Sequence, residues 1–167
     1  MKLTMNKLSL ALASYLILFL AAAATAATTR CTFEIVVKTD GRRNAGTDAR
    51  VSLQVRAARG PTLTVANLES WGQMAAGHDY FEKGNLDRFR GAGDCMPSEP
   101  CNMVLTSDGS GNKPGWYVSY VMVTQLGQGR LPSMTHRWAV DQWLAIDEAP
   151  HMLTAERRGC GIGAAAP

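Results

Sequence analysis

An all-β fold, an antiparallel β-sandwich, is what this sequence predicts, and three observations predict it. Short apolar runs alternate with polar residues at a period of two. Clusters of Gly, Pro, Asn, Asp and Ser punctuate those runs. Beyond the N-terminus no segment shows convincing helix-type apolar periodicity.

The organising stretch is Phe33 to Arg56. Phe33, Ile35 and Val37 alternate with Glu34 and Lys38, and Val51, Leu53 and Val55 alternate with Ser52, Gln54 and Arg56. Each run therefore predicts a strand with one buried and one wet face. Their connection, Thr39 to Ala49, holds Gly41, Gly46, Asp40, Asn44 and Asp48. Such residues tolerate unusual backbone angles and present oxygen atoms at a sheet edge, so function is expected on that rim.

Gly60-Pro61 marks a turn, and Leu63 and Val65 lie in a Thr-rich strand. Residues 67–87 show no clean period and hold three glycines, which predicts a long loop. Arg88 to Gly91 is a brief strand. Cys101 to Thr106 is another, with Met103 and Leu105 inward. Ser107 to Gly115 is turn chemistry throughout. Trp116, Val118, Tyr120 and Met122 then alternate with Tyr117, Ser119, Val121 and Val123 in a strand apolar enough to be central. Met134 to Asp141 closes the strands, with Trp138 and Val140 inward. The tail after Glu156 is expected to fray except where Cys160 pins it.

The N-terminus stands apart. Lys2 and Lys7 precede an apolar run from Leu8 to Ala24, and Ala24-Thr25-Ala26 fits an A-x-A cleavage site. Residues 1–26 therefore predict a secretory signal peptide, leaving 27–167 as one domain in the secretory pathway, in the endoplasmic reticulum lumen or outside the cell. Lys2 and Lys7 leave with it, which takes the net charge of +3 to near neutral. That balance gives no electrostatic reason to expect nucleic acid.

All four cysteines, Cys31, Cys95, Cys101 and Cys160, lie beyond the signal, and an even count in a secreted chain predicts two disulfides. Three pairings are open. The favoured one staples Cys95 to Cys101 across MPSEP and ties the domain ends through Cys31 and Cys160. Zinc is disfavoured, because neither the cysteines nor His78, His136 and His151 show ligand spacing. No G-x-S-x-G elbow, H-E-x-x-H or phosphate-binding loop occurs, so no catalytic residues are expected.

TDGRRNAGTDARV, YFEKGNLDRF, LTSDGSGNKPGWYVSYVMV and WAVDQWL follow one another in the order of a PLAT domain. The chain resembles that family over about residues 31–146. It is most similar to small plant PLAT proteins linked to stress responses, which carry a signal peptide and one such domain. The resemblance implies a sandwich of two four-stranded sheets. It also implies docking to lipid or protein surfaces instead of catalysis.

Calcium is the cofactor this resemblance brings into view, since calcium-binding members take ligands from the same loops. A hard cation needs six to eight oxygens. Asn44 and the carbonyls around Gly46 and Thr47 supply some, Asp79, Glu82 and Asp87 others, and Asp108 another. The competing expectation is that Asp48 and Asp87 cap turns while the other acids are solvated. Arg42, Arg43 and Lys113 form a basic tip suited to an anionic headgroup or an acidic patch on a partner. Trp71, Met74, Tyr80 and Phe81 either make an exposed contact surface or fold over the sandwich edge. Trp116 and Trp138 are expected in the core. Trp143 is expected near the rim or packed. Two functions follow: a module docking on membrane surfaces through anionic lipid headgroups, bridged by calcium, or a protein-interaction module needing neither.

Overall fold

Residues 29–128 and 132–160 are described by the computed structural model; the signal segment 1–26 lies outside them. Eight strands follow in order: β1 Arg30–Thr39, β2 Val51–Arg56, β3 Thr62–Val65, β4 Leu86–Asp94, β5 Asn102–Ser107, β6 Trp116–Gln125, β7 Met134–Leu144 and β8 Thr154–Arg158. They form two antiparallel four-stranded sheets, ordered β4-β1-β6-β7 and β3-β2-β5-β8.

The two founding strands do not pair with each other. β1 enters the first sheet and β2 the second, so the 40–50 loop crosses from one layer to the other. Ile35 lies between Phe89 and Val123 in the first sheet, and Leu53 lies between Val65 and Leu105 in the second. All six are buried, and their side chains meet between the layers. Burying each such side chain contributes about 1.5–3 kcal/mol.

Three expectations about the strands need correction. The brief strand at Arg88 is nine residues long, Leu86–Asp94, because β1 pairs with it from Arg30 to Lys38. The tail forms β8, which pairs with β5 from Thr106↔Thr154 to Asn102↔Arg158. Against β1, β6 carries one extra residue, Ser119, between Val118 and Tyr120. The extra residue reverses the alternation beyond it, so Val121 and Val123 point inward while Tyr120 and Met122 face outward. Residues 67–85 are irregular apart from the 3-10 turn Leu68–Trp71, whose Asn67 side chain accepts from the Glu69 N–H.

The cysteine pairing is also corrected. The bridges are Cys31–Cys95 and Cys101–Cys160. Cys95 follows β4 in the first sheet, whereas Cys101 immediately precedes β5 in the second, so MPSEP steps between layers. Cys31 stands opposite Gly93 in the β1–β4 ladder, which brings it to Cys95 with Cα atoms 4.9 Å apart. Each bridge therefore staples one sheet. The crossing loop is held instead by buried Gln125, whose Oε1 accepts from the Met96 N–H at 2.7 Å and whose Nε2 donates to the Met96 carbonyl.

Arg157 joins the layers where β8 meets β7. Its Nε donates to the Ala139 carbonyl at 2.9 Å, and its Nη2 donates to the Val140 carbonyl and to Gln142 Oε1.

Candidate docking rim

Four segments meet at one end of the sandwich: residues 40–50, 79–85, 108–115 and 145–153. Backbone hydrogen bonds knit them together. The Thr47 N–H donates to the Phe81 carbonyl, the Asp48 N–H to the Lys113 carbonyl, and the Tyr117 N–H to the Ala45 carbonyl. Buried Thr47 adds its hydroxyl, donated to the Lys113 carbonyl at 2.8 Å. Gly46 is required where the first two segments touch, because a Cβ there would stand 2.8 Å from the Lys83 nitrogen. Between them lies an open groove of about 490 Å³, lined by Asn44, Glu82, Lys83, Lys113, Trp143 and Asp147 among others.

The proposed calcium donors do not converge. Asn44 and Gly46 reach the groove beside Glu82, but Glu82 Oε1 lies 3.4 Å from the Lys113 ammonium. Asp108 is exposed, and its Oδ1 is taken up by the Arg50 N–H of the first segment and the Ser110 N–H of its own loop. Hydrogen bonding from Ser110, and then from the Arg50 backbone, lowers its pKa from the ordinary aspartate value. Asp79 is exposed, and it is its backbone carbonyl that is engaged, by Asn85 Nδ2. Among the described residues no three His, Cys, Asp or Glu side chains gather where one cation could be held. The donor set as folded does not fit calcium.

Asp87 departs furthest from a ligand role. It is fully buried, with Oδ1 2.6 Å from His78 Nε2 and Oδ2 accepting the Phe81 N–H at 2.8 Å. It is a loop anchor. Asp87→Asn is expected to destabilise the fold by about 2 kcal/mol, because either the half-buried His78 ring or the buried Phe81 N–H loses its acceptor. A urea midpoint unchanged by that variant would rule the anchor out.

The loop aromatics serve the same end. Phe81 is fully buried, stacked on Phe89 at 5.6 Å between centroids and edge-on to Trp116 at 5.1 Å. Its proposed place in an exposed surface is corrected: the backbone turns through φ 59 there and drives the ring inward. Tyr80 and Trp71 are half-buried. Tyr80 packs against Phe89, its hydroxyl accepting the Met74 N–H, and Trp71 lies over Gly91 so closely that any Cβ there would clash.

The basic tip is divided. Arg42 folds back, donating to Asp40 at 2.9 Å and lying 3.2 Å over the Tyr117 ring. Its hydrogen bonds lower the Asp40 pKa, and Asp40 in turn raises that of Arg42. Arg43 is left exposed. Trp143 is half-buried at the groove, edge-on to Tyr117.

Sequence reasoning missed the fourth segment. Ile146 and Met152, 66% and 52% exposed, are the two most exposed large apolar side chains among the described residues. His151 helps shape their loop, Nδ1 lying 2.8 Å from the Ile146 carbonyl. A carbonyl only accepts, so Nδ1 carries the proton. The sequence signal was Asp147 to Pro150, turn chemistry between two strands, obscured because β8 itself went unrecognised.

The family model of the PLAT/LH2 domain matches residues 33–142. The chain belongs to the PLAT/LH2 domain family. Its PLAT domain is 42% identical over 133 residues to PLAT domain-containing protein 2 of Arabidopsis thaliana, covering 79% of this chain and 72% of that one. PLAT domain-containing protein 1 of the same plant is 41% identical over 133 residues, covering 79% and 73%. Among solved structures, a coral 8R-lipoxygenase superposes with TM-score 0.55 at 21% identity, over 77% of this chain. The PLAT domain spans only 17% of that enzyme, and the likeness is one of fold.

Proposed function

We propose that this PLAT domain is a non-catalytic docking module that binds anionic lipid surfaces along the secretory route predicted by residues 1–26. One observation supports it most: exposed Ile146 and Met152 stand at the same end as Arg43 and Lys113. Apolar loop tips enter a lipid interface, while cations beside them pair with phosphate. The coral lipoxygenase is described as activated by calcium through a C2-like domain. Here Lys113 stands against Glu82 and Asp87 is buried, so no calcium bridge enters this reading.

Sedimentation with vesicles tests it. The protein is expected to bind phosphatidylserine-containing vesicles without calcium, and Ile146→Ser with Met152→Ser is expected to weaken binding at least tenfold, as two apolar contacts are lost. Unchanged partitioning of that variant would remove the insertion role. Absence of vesicle binding with and without calcium would favour a protein partner. The mixed charge of the rim supports that second reading, since these four segments hold seven acidic and five basic residues.

A further inference from the structure

The imbalance of charge at the rim raises a question of where an anionic surface finds its complement. The outer face of the β4-β1-β6-β7 sheet supplies it. Arg30, Lys38, Arg88, Arg90 and Arg137 lie on that face with the acids Glu34, Asp94 and Asp141; Arg90 approaches Glu34 at 3.6 Å and Arg30 approaches Asp94 at 3.3 Å, which leaves Lys38, Arg88 and Arg137 without an acidic partner among the described residues. The opposite outer face holds Arg56, Arg158 and Glu156, the last two paired at 2.7 Å.

The ladder sets the cations in order. Arg88, Val36, Met122 and Arg137 occupy one cross-strand row. With strands about 4.8 Å apart, the arginines bracket the two apolar residues over about 14 Å. Arg137 lies 3.9 Å over the Tyr120 ring, a stacking that fixes the guanidinium plane and leaves its edge donors outward. Both Tyr120 and Met122 reach this face only because of the extra β6 residue, Ser119, opposite β1. Leu86, 37% exposed, continues the apolar strip along β4. The face runs into the rim through Tyr117 and Trp143, paired across β6 and β7.

We infer that the outer face of this sheet is the main electrostatic contact with an anionic phospholipid membrane, so that the domain docks tilted, sheet face down, with Ile146 and Met152 at its leading edge. The inference rests on the lipid reading above and adds the surface and orientation. Its basis is charge complementarity: among the described residues, Lys38, Arg88 and Arg137 stand without acidic partners around Val36 and Met122, whereas the counterpart face holds one such cation, Arg56.

The test is partitioning of the full, oxidised protein onto phosphatidylserine–phosphatidylcholine vesicles. Arg88→Ala with Arg137→Ala is expected to lower it about thirtyfold, from the worth of two basic residues near an anionic surface. Arg56→Ala with Arg158→Ala removes the same charge from the opposite face and is expected to change it less than threefold. Arg88→Lys with Arg137→Lys should restore most of the binding, which also shows that the face variants fold. Equal losses in the two alanine pairs, or binding that survives the first pair, overturn the face assignment and leave lipid docking standing. A wild-type protein that ignores these vesicles overturns both.

Discussion

Trp116→Ala is expected to lower the unfolding free energy by about 5 kcal/mol, the upper part of the range for truncating a buried aromatic. Trp116 is completely buried and touches Phe81 edge-on, and its indole N–H donates to Thr39 Oγ1 at 2.9 Å. That hydroxyl in turn donates to the Phe81 carbonyl at 3.2 Å. Truncation therefore opens a cavity and removes a donor from a buried polar chain. It also loosens Phe81, through which the 79–85 segment is fixed to the core. Urea unfolding measures the loss; a change under about 2 kcal/mol would mean that neighbouring rings collapse into the space. Trp116→Phe should fall between, because it keeps most of the ring contact.

Removing either disulfide is expected to cost about 4 kcal/mol, from the chain entropy restored to the unfolded state. The sequence separations are 64 and 59 residues, so both bridges close long loops and the two effects should be similar. Cys101→Ser with Cys160→Ser has a local consequence as well: β8 is five residues long and pairs only with β5, so its amides should exchange faster than those of β2. Peptide mapping of the unreduced protein provides the direct check. A fragment linking Cys95 to Cys101 would refute the pairing described here.

Much of this architecture was legible in the sequence, and the failures have physical causes. β1, β2, β3, β5, β6 and β7 announce themselves because buried residues alternate with wet ones. β4 was cut short because Gly91, Ala92 and Gly93 carry no apolar signal; glycine is there to admit Trp71 and Leu63. β8 was missed because Thr154 to Arg158 holds one buried residue, Ala155. The cysteine pairing failed because spacing along the chain does not reveal which layer a strand joins. At the rim, the residues of interest were visible but their commitments were not. Nothing local distinguishes Asp87, anchored in the core, from Asp79, exposed at the surface. The basic sheet face was hidden twice over, once by strand order and once by the bulge that turns Tyr120 and Met122 outward.

The guanidinium of Arg157 has a further effect. A sandwich of two open sheets has four edge strands, and bare edge carbonyls are templates onto which another chain can add. At the β7–β8 corner the Ala139 and Val140 carbonyls already have a donor from the facing layer. On the far side, Gly72 bridges to Phe89 and the Gln73 N–H donates to the Arg88 carbonyl, covering part of β4. Two of the four margins are thus partly sealed against strand addition, which guards the chain against edge-to-edge aggregation at high local concentration.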